Sequence, residues 1–178
     1  MRKYLPYNKQ ELLDKINNIS ISLNDAGQVI TKYRDVVVSI SNVSNRYEIF
    51  DIQKYLKDKL ELIEKNFTIT KYDFHIRKGI QSLSLLSDTI EIQGVNYHKS
   101  FFILNSSDKS RRLSFNAGLY SEEKKLYIIT SIKEVGLTKK HLRGVTEAAE
   151  LASIGLNGDT FNEQIESIKS LIGHRIHL

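Results

Sequence analysis

The chain predicts an α+β fold: a curved antiparallel sheet running as a meander, with helices packed on one face. Three observations carry this. Apolar residues recur at helical spacing near the two ends and in one central stretch. Between residues 67 and 132 they alternate instead with polar ones, the period of a strand. The breaks within that region are too short for helical crossovers, so neighbouring strands must run antiparallel.

Taken in order, residues 8–18 place Leu12, Leu13 and Ile16 on one helical face, and Asn8 with Glu11 three residues on forms a capping-box pattern. Asn24-Asp25-Ala26-Gly27 is a turn signal. Residues 29–40 read as one strand, rich in β-branched Val36, Val37, Val38 and Ile40, and residues 46–50 as a short second one. Residues 51–65 are the clearest helix: Ile52, Tyr55, Leu56, Leu60 and Ile63 form one stripe, with Asp51 placed to cap it. Residues 67–77 alternate, with a change of parity near Lys71 that predicts a bulge or bend. Residues 83–92, 97–105, 111–119 and 126–132 follow as four further strands, with turns at Gly94, 106–110 and 121–124. Beyond this the period changes again. Thr138 is placed as an N-cap for a helix bearing Leu142, Val145, Ala148, Ala149 and Ala152. Asn157-Gly158 breaks it, and a last helix opens at Asp159 or Thr160 and stops at Gly173.

A length of 178 residues fits one domain. It divides into an N-terminal helix and turn (1–28), a sheet with one helix (29–135) and a C-terminal helical pair (136–178). No apolar run approaches the roughly 18–20 residues of a spanning helix, so no membrane partner is expected. The first residues turn polar too soon for a secretory leader. Cysteine is absent, which excludes disulfides, thiolate metal sites and a Cys nucleophile, and a cytoplasmic location is expected. The formal charge of +5 is unevenly spread: residues 109–143 hold nine Lys/Arg against three acids. Such asymmetry favours contact with polyanions.

Motifs for chemistry are missing. The five histidines include no pair at i, i+4 and no His-Glu-x-x-His, so no metal site is expected. There is no phosphate-binding Gly-rich loop and no Gly-x-Ser-x-Gly, and no cofactor is expected. Asp73 and His75 share a strand parity and face one side, but no Ser or Lys is tied to them by spacing. No residue is assigned as catalytic. What remains is a binding pattern. Residues 97–120 place Lys109, Arg111 and Arg112 after an Asn-Ser-Ser-Asp turn between two strands, a position suited to holding phosphate oxygens. Lys139, Lys140 and Arg143 add a second basic edge. Tyr97 and Tyr120, at strand ends, are candidates for stacking on bases.

Two stretches resemble a known family. Val38-Ser-Ile-Ser-Asn-Val-Ser-Asn-Arg46-Tyr47-Glu-Ile-Phe50, followed by an amphipathic helix, resembles the opening motif of the phage/plasmid-like family of unknown function. Phe101-Phe-Ile-Leu-Asn105-Ser106-Ser107-Asp108-Lys109-Ser110 is similar to that family's "NS-x-DGS" strand end, with Lys109 where the family has Gly. The family is grouped at long range with phage single-strand annealing recombinases, which share a βββα core and form rings. The resemblance implies a phage-type, non-enzymatic protein that binds and anneals ssDNA in replication or recombination, as a homo-oligomer in the host cytoplasm. The alternative is a structural or assembly protein of the virion, its basic surface facing packaged DNA or an acidic neighbour.

Overall fold

The computed structural model describes residues 8–66, 68–108, 113–130, 137–139 and 158–174. The chain opens with α1 (Lys9–Asn17), then β1 (Ile19–Leu23), β2 (Gln28–Tyr33) and β3 (Val36–Asn42). Next come α2 (Ile52–Asn66), β4 (Lys71–Arg77), β5 (Ile80–Ile92), β6 (Val95–Ser106), β7 (Leu113–Ser121) and β8 (Leu126–Thr130). A short β9 (Leu137–Lys139) and a last helix, α3 (Gly158–His174), complete the described elements. The fold is α+β, with two antiparallel sheets where the sequence predicts one. β1, β2 and β3 form a small meander, and β4 to β8 form the large one. β9 pairs with β7 over Leu113–Phe115, whereas β8 pairs with Ala117–Ser121, so the two share one edge of β7.

The helices start where their caps put them. The Asn8 side chain accepts from the Glu11 N–H at 2.8 Å, and Glu11 accepts in return from the Asn8 N–H at 2.8 Å, so the capping box is real. Asp51 accepts from the N–H groups of Gln53 and Lys54, both at 3.0 Å, and opens α2. The apolar stripe of α2 is buried from Ile52 to Ile63, and Leu60 is 3% exposed.

All three described helices join one buried apolar cluster on one face of the large sheet. Alternation and register build that face. Phe74, Leu83, Ile103 and Phe115 stand abreast across β4 to β7, and Tyr72, Leu85 and Phe101 form the next row. Phe50, just before α2, meets the Phe115 ring edge-on at 5.9 Å. One irregularity re-aims β5. Leu86 pairs with Ser100 and Thr89 with His98, leaving two residues against one. The bulge flips the parity, so Ile90 and Ile92 face the cluster as Leu83 and Leu85 do before it.

Several local expectations are corrected. The run 29–40 is two strands, because Arg34 and Asp35 turn the chain with φ of 50° and 63°. That is the backbone of a tight hairpin, made here without glycine. Residues 46–50 form a turn and a single bridge at Tyr47, not a strand. The β4–β5 register is unbroken from Lys71 to Arg77, so β4 carries no bulge past Lys71, and a bulge the sequence does not predict lies in β5. Thr138 is not an N-cap: it lies in β9 and pairs with Ser114. The helix expected after it falls outside the described residues. No helix among the described residues is long and apolar enough to cross a membrane.

Candidate nucleic-acid interface

The Asn105–Asp108 segment ends β6 inside a buried polar junction that ties the two sheets together. Asn105 and Gln81 face each other in register and are 1% and 0% exposed. The Asn105 amide donates to Gln81 Oε1 at 2.6 Å and to the Phe50 carbonyl at 3.4 Å. Gln81 Nε2 donates in turn to the Gly79 carbonyl at 3.1 Å. Ser107 grips the same carbonyl twice, through its N–H at 2.8 Å and its hydroxyl at 3.1 Å. Since that hydroxyl donates to Gly79, the short bond between Thr31 and Ser107 has Thr31 as donor. The small sheet adds a second tie, Ser41 Oγ donating to the Asp108 carbonyl at 3.2 Å. Gly79 is required by space: a Cβ there would sit 2.7 Å from the Asp108 Cβ.

This junction fixes the stem from which the basic segment leaves. Asp108 accepts from Ser106 Oγ at 2.5 Å, and Tyr47 donates to the Ser106 carbonyl at 3.4 Å. Burial, with help from the Asp108 carboxylate, pushes the Tyr47 phenol up to about 12, so it stays a neutral donor. Exposed Arg77 and Lys78 stand at the β4–β5 turn beside Gly79, and exposed Arg46 precedes Tyr47. Arg46 and Tyr47 stand out in the sequence only within the motif that carries the family resemblance, and Arg77 and Lys78 not at all. The position of all four beside the Asn105–Asp108 turn is a property of the pairing.

The residues the sequence does single out divide into three groups. Lys109, Arg111, Arg112, Lys140 and Arg143 lie outside the described residues. Lys139 is in β9, opposite Leu113. Leu113 follows Arg112 in the chain, and Lys139 precedes Lys140, so the register brings the roots of both basic segments to one end of β7. The tyrosines are elsewhere. Tyr97 is 8% exposed within the apolar cluster, and Tyr120 is half-buried between His98 and Tyr127 in register. Both lie at the far end of the sheet: Tyr97 is about 27 Å along β6 from Asn105 at roughly 3.4 Å per residue, and Tyr120, opposite His98, about 24 Å. They do not flank the basic segment as expected, because the antiparallel pairing carries each strand the length of the sheet between its two ends.

Asp73 and His75 do meet. His75 Nε2 lies 3.1 Å from Asp73 Oδ1, on the sheet face away from the helices. Ser82 stands opposite His75 and Ser84 opposite Asp73, but Ser84 is 4% exposed and offers no accessible nucleophile. A second histidine, His98, donates from Nδ1 to the Ser87 carbonyl at 2.7 Å, with Nε2 3.2 Å from Glu122. Lys71 also pairs with Glu122, and its hydrogen bond holds that carboxyl below the usual range against the cost of burial. These contacts join β4, β5, β6 and the β7–β8 turn, and they account for His98 structurally. Among the described residues no group of acids and histidines could hold a metal ion. No protein-family model matches the chain, and no curated protein or solved structure matches it.

Proposed function

We propose that the protein binds nucleic acid, single-stranded DNA foremost, at the sheet end formed by the β4–β5 turn, the end of β6 and the end of β9. It would act without catalysis of its own, in replication or recombination. The observation that carries the reading is the pairing of Leu113 with Lys139. It roots two basic segments, separated by more than twenty residues in sequence, at the end of the sheet where the β4–β5 turn carries exposed Arg77 and Lys78. Exposed cations at one end of a sheet suit phosphates, whose binding releases counterions and is steeply salt-dependent.

The test is fluorescence anisotropy of a labelled oligonucleotide across a salt series. The slope of log affinity against log salt should be about −0.7 for each phosphate contact. Arg111→Ala with Arg112→Ala should weaken binding and flatten the slope by about one to two units, with little change in sequence preference. No binding at low salt ends this reading. Annealing of complementary strands would separate a recombination role from a virion structural role, which would need binding alone.

A further inference from the structure

The large sheet covers its first edge. α1 lies against β4, and Lys15 Nζ donates to the Phe74 carbonyl at 3.0 Å. Among the described residues, no strand pairs with the last edge of the small sheet. β3 ends the order β1-β2-β3, and three of its apolar side chains are exposed: Val36 is 64% exposed, Val37 48% and Ile40 59%. An edge strand of this kind presents unpaired N–H and C=O groups, and it is ordinarily blunted by Lys, Pro or a covering element. β3 has no charged residue and no proline in Val36–Asn42. Its single irregularity is the register shift opposite Thr31 and Lys32, beyond which Ser39–Asn42 runs regularly with Gln28–Thr31.

We propose that β3 pairs antiparallel with β3 of a second copy of this chain, joining the two small sheets across a two-fold axis. Two features favour a second copy over an unrelated strand. The first is self-complementarity: a neutral strand set against itself opposes no like charges, and it places exposed β-branched side chains side by side, a favourable pairing. The second is charge at the strand ends. Exposed Asp35 precedes β3 and exposed Arg46 follows it. An antiparallel copy brings each Asp35 toward the end of β3 from which the other copy's Arg46 leads away. Arg34, the like-charged neighbour, is folded back over the Tyr33 ring at 5.5 Å from its centroid.

The proposal is independent of nucleic acid, and its test contains none. Sedimentation of the full chain over a concentration series should reach twice the 20.5 kDa chain mass. Val37→Lys with Ile40→Lys should hold it at the monomer mass with an unchanged circular dichroism spectrum. A monomer throughout in the natural chain, or a dimer that persists in the folded double variant, overturns the proposal. Because the chain has no cysteine, Ile40→Cys gives a unique thiol on the outward face. A short bis-maleimide should link it into a dimer band, while Leu126→Cys, 50% exposed on β8, should stay unlinked. If the lysine variant does not fold, the cross-link decides: a band for Ile40→Cys alone supports the pairing, and no band, or equal bands for both, overturns it.

Discussion

At the scale of single residues, the Asn-Ser-Ser-Asp segment has a structural task. Its side chains satisfy the backbone of Gly79 and Phe50 where the two sheets meet, out of reach of water. Thr31 and Ser107 are 0% and 2% exposed, so losing either hydroxyl removes a buried hydrogen bond. Thr31→Val keeps the shape and removes the donor; it is expected to cost about 1–3 kcal/mol in urea unfolding. Ser107→Ala should cost a similar amount. The double variant should cost clearly less than the sum, because one bond is broken twice. Strict additivity would show that the two hydroxyls act separately. Such a network is hard to read from sequence, since Thr31 and Ser107 lie 76 positions apart and Thr in a strand is commonplace.

At the scale of elements, the stripe of α2 carries the packing. Leu60→Ala removes a side chain that is 3% exposed within the apolar cluster and should cost about 2–5 kcal/mol, read as a lowered urea midpoint at unchanged slope. A loss near zero would place Leu60 outside the core. Elements with an unambiguous period were legible: α1 and α2 from their caps and stripes, and β4 to β8 from alternation between short turns. The failures have local causes. The Arg34-Asp35 hairpin lacks the Asn-Gly or Gly that signals a tight turn, so β2 and β3 read as one strand. β1 follows α1 after one residue, and its segment, Ile19–Leu23, alternates but is too short to stand out. Thr138 has the right chemistry for a cap but is committed to Ser114 across the sheet. As for the interface, the basic segments were visible in composition. The pairing of Leu113 with Lys139, at the borders of those segments, is a matter of register, which distant pairing decides.

At the scale of the whole molecule, ionic ties join parts that are distant in sequence, and they make stability depend on acid. Glu64 of α2 is 2.6 Å from Lys9 of α1 and accepts from the Tyr72 hydroxyl of β4 at 2.7 Å. Burial works against its charge, but these two hydrogen bonds prevail and hold the carboxyl below the usual range. Glu122 is held low by Lys71 despite burial, and Asp88 by the Ser87 hydroxyl and nearby cations. All three shifts have one sign. A carboxyl lowered in the folded state binds fewer protons there than in the unfolded chain, so stability is full above the unfolded value, about 4 for a carboxylate. It falls as pH drops through that value toward the lower folded ones. Thermal midpoints should therefore hold steady from neutral pH down to about 5 and decline below it. Glu64→Gln should lower the neutral plateau slightly, since a partly exposed pair contributes little. It should also make the acid decline shallower, because one proton-linked tie is gone. Parallel curves for the two proteins would remove Glu64 from the account and leave the acid response to Glu122 and Asp88.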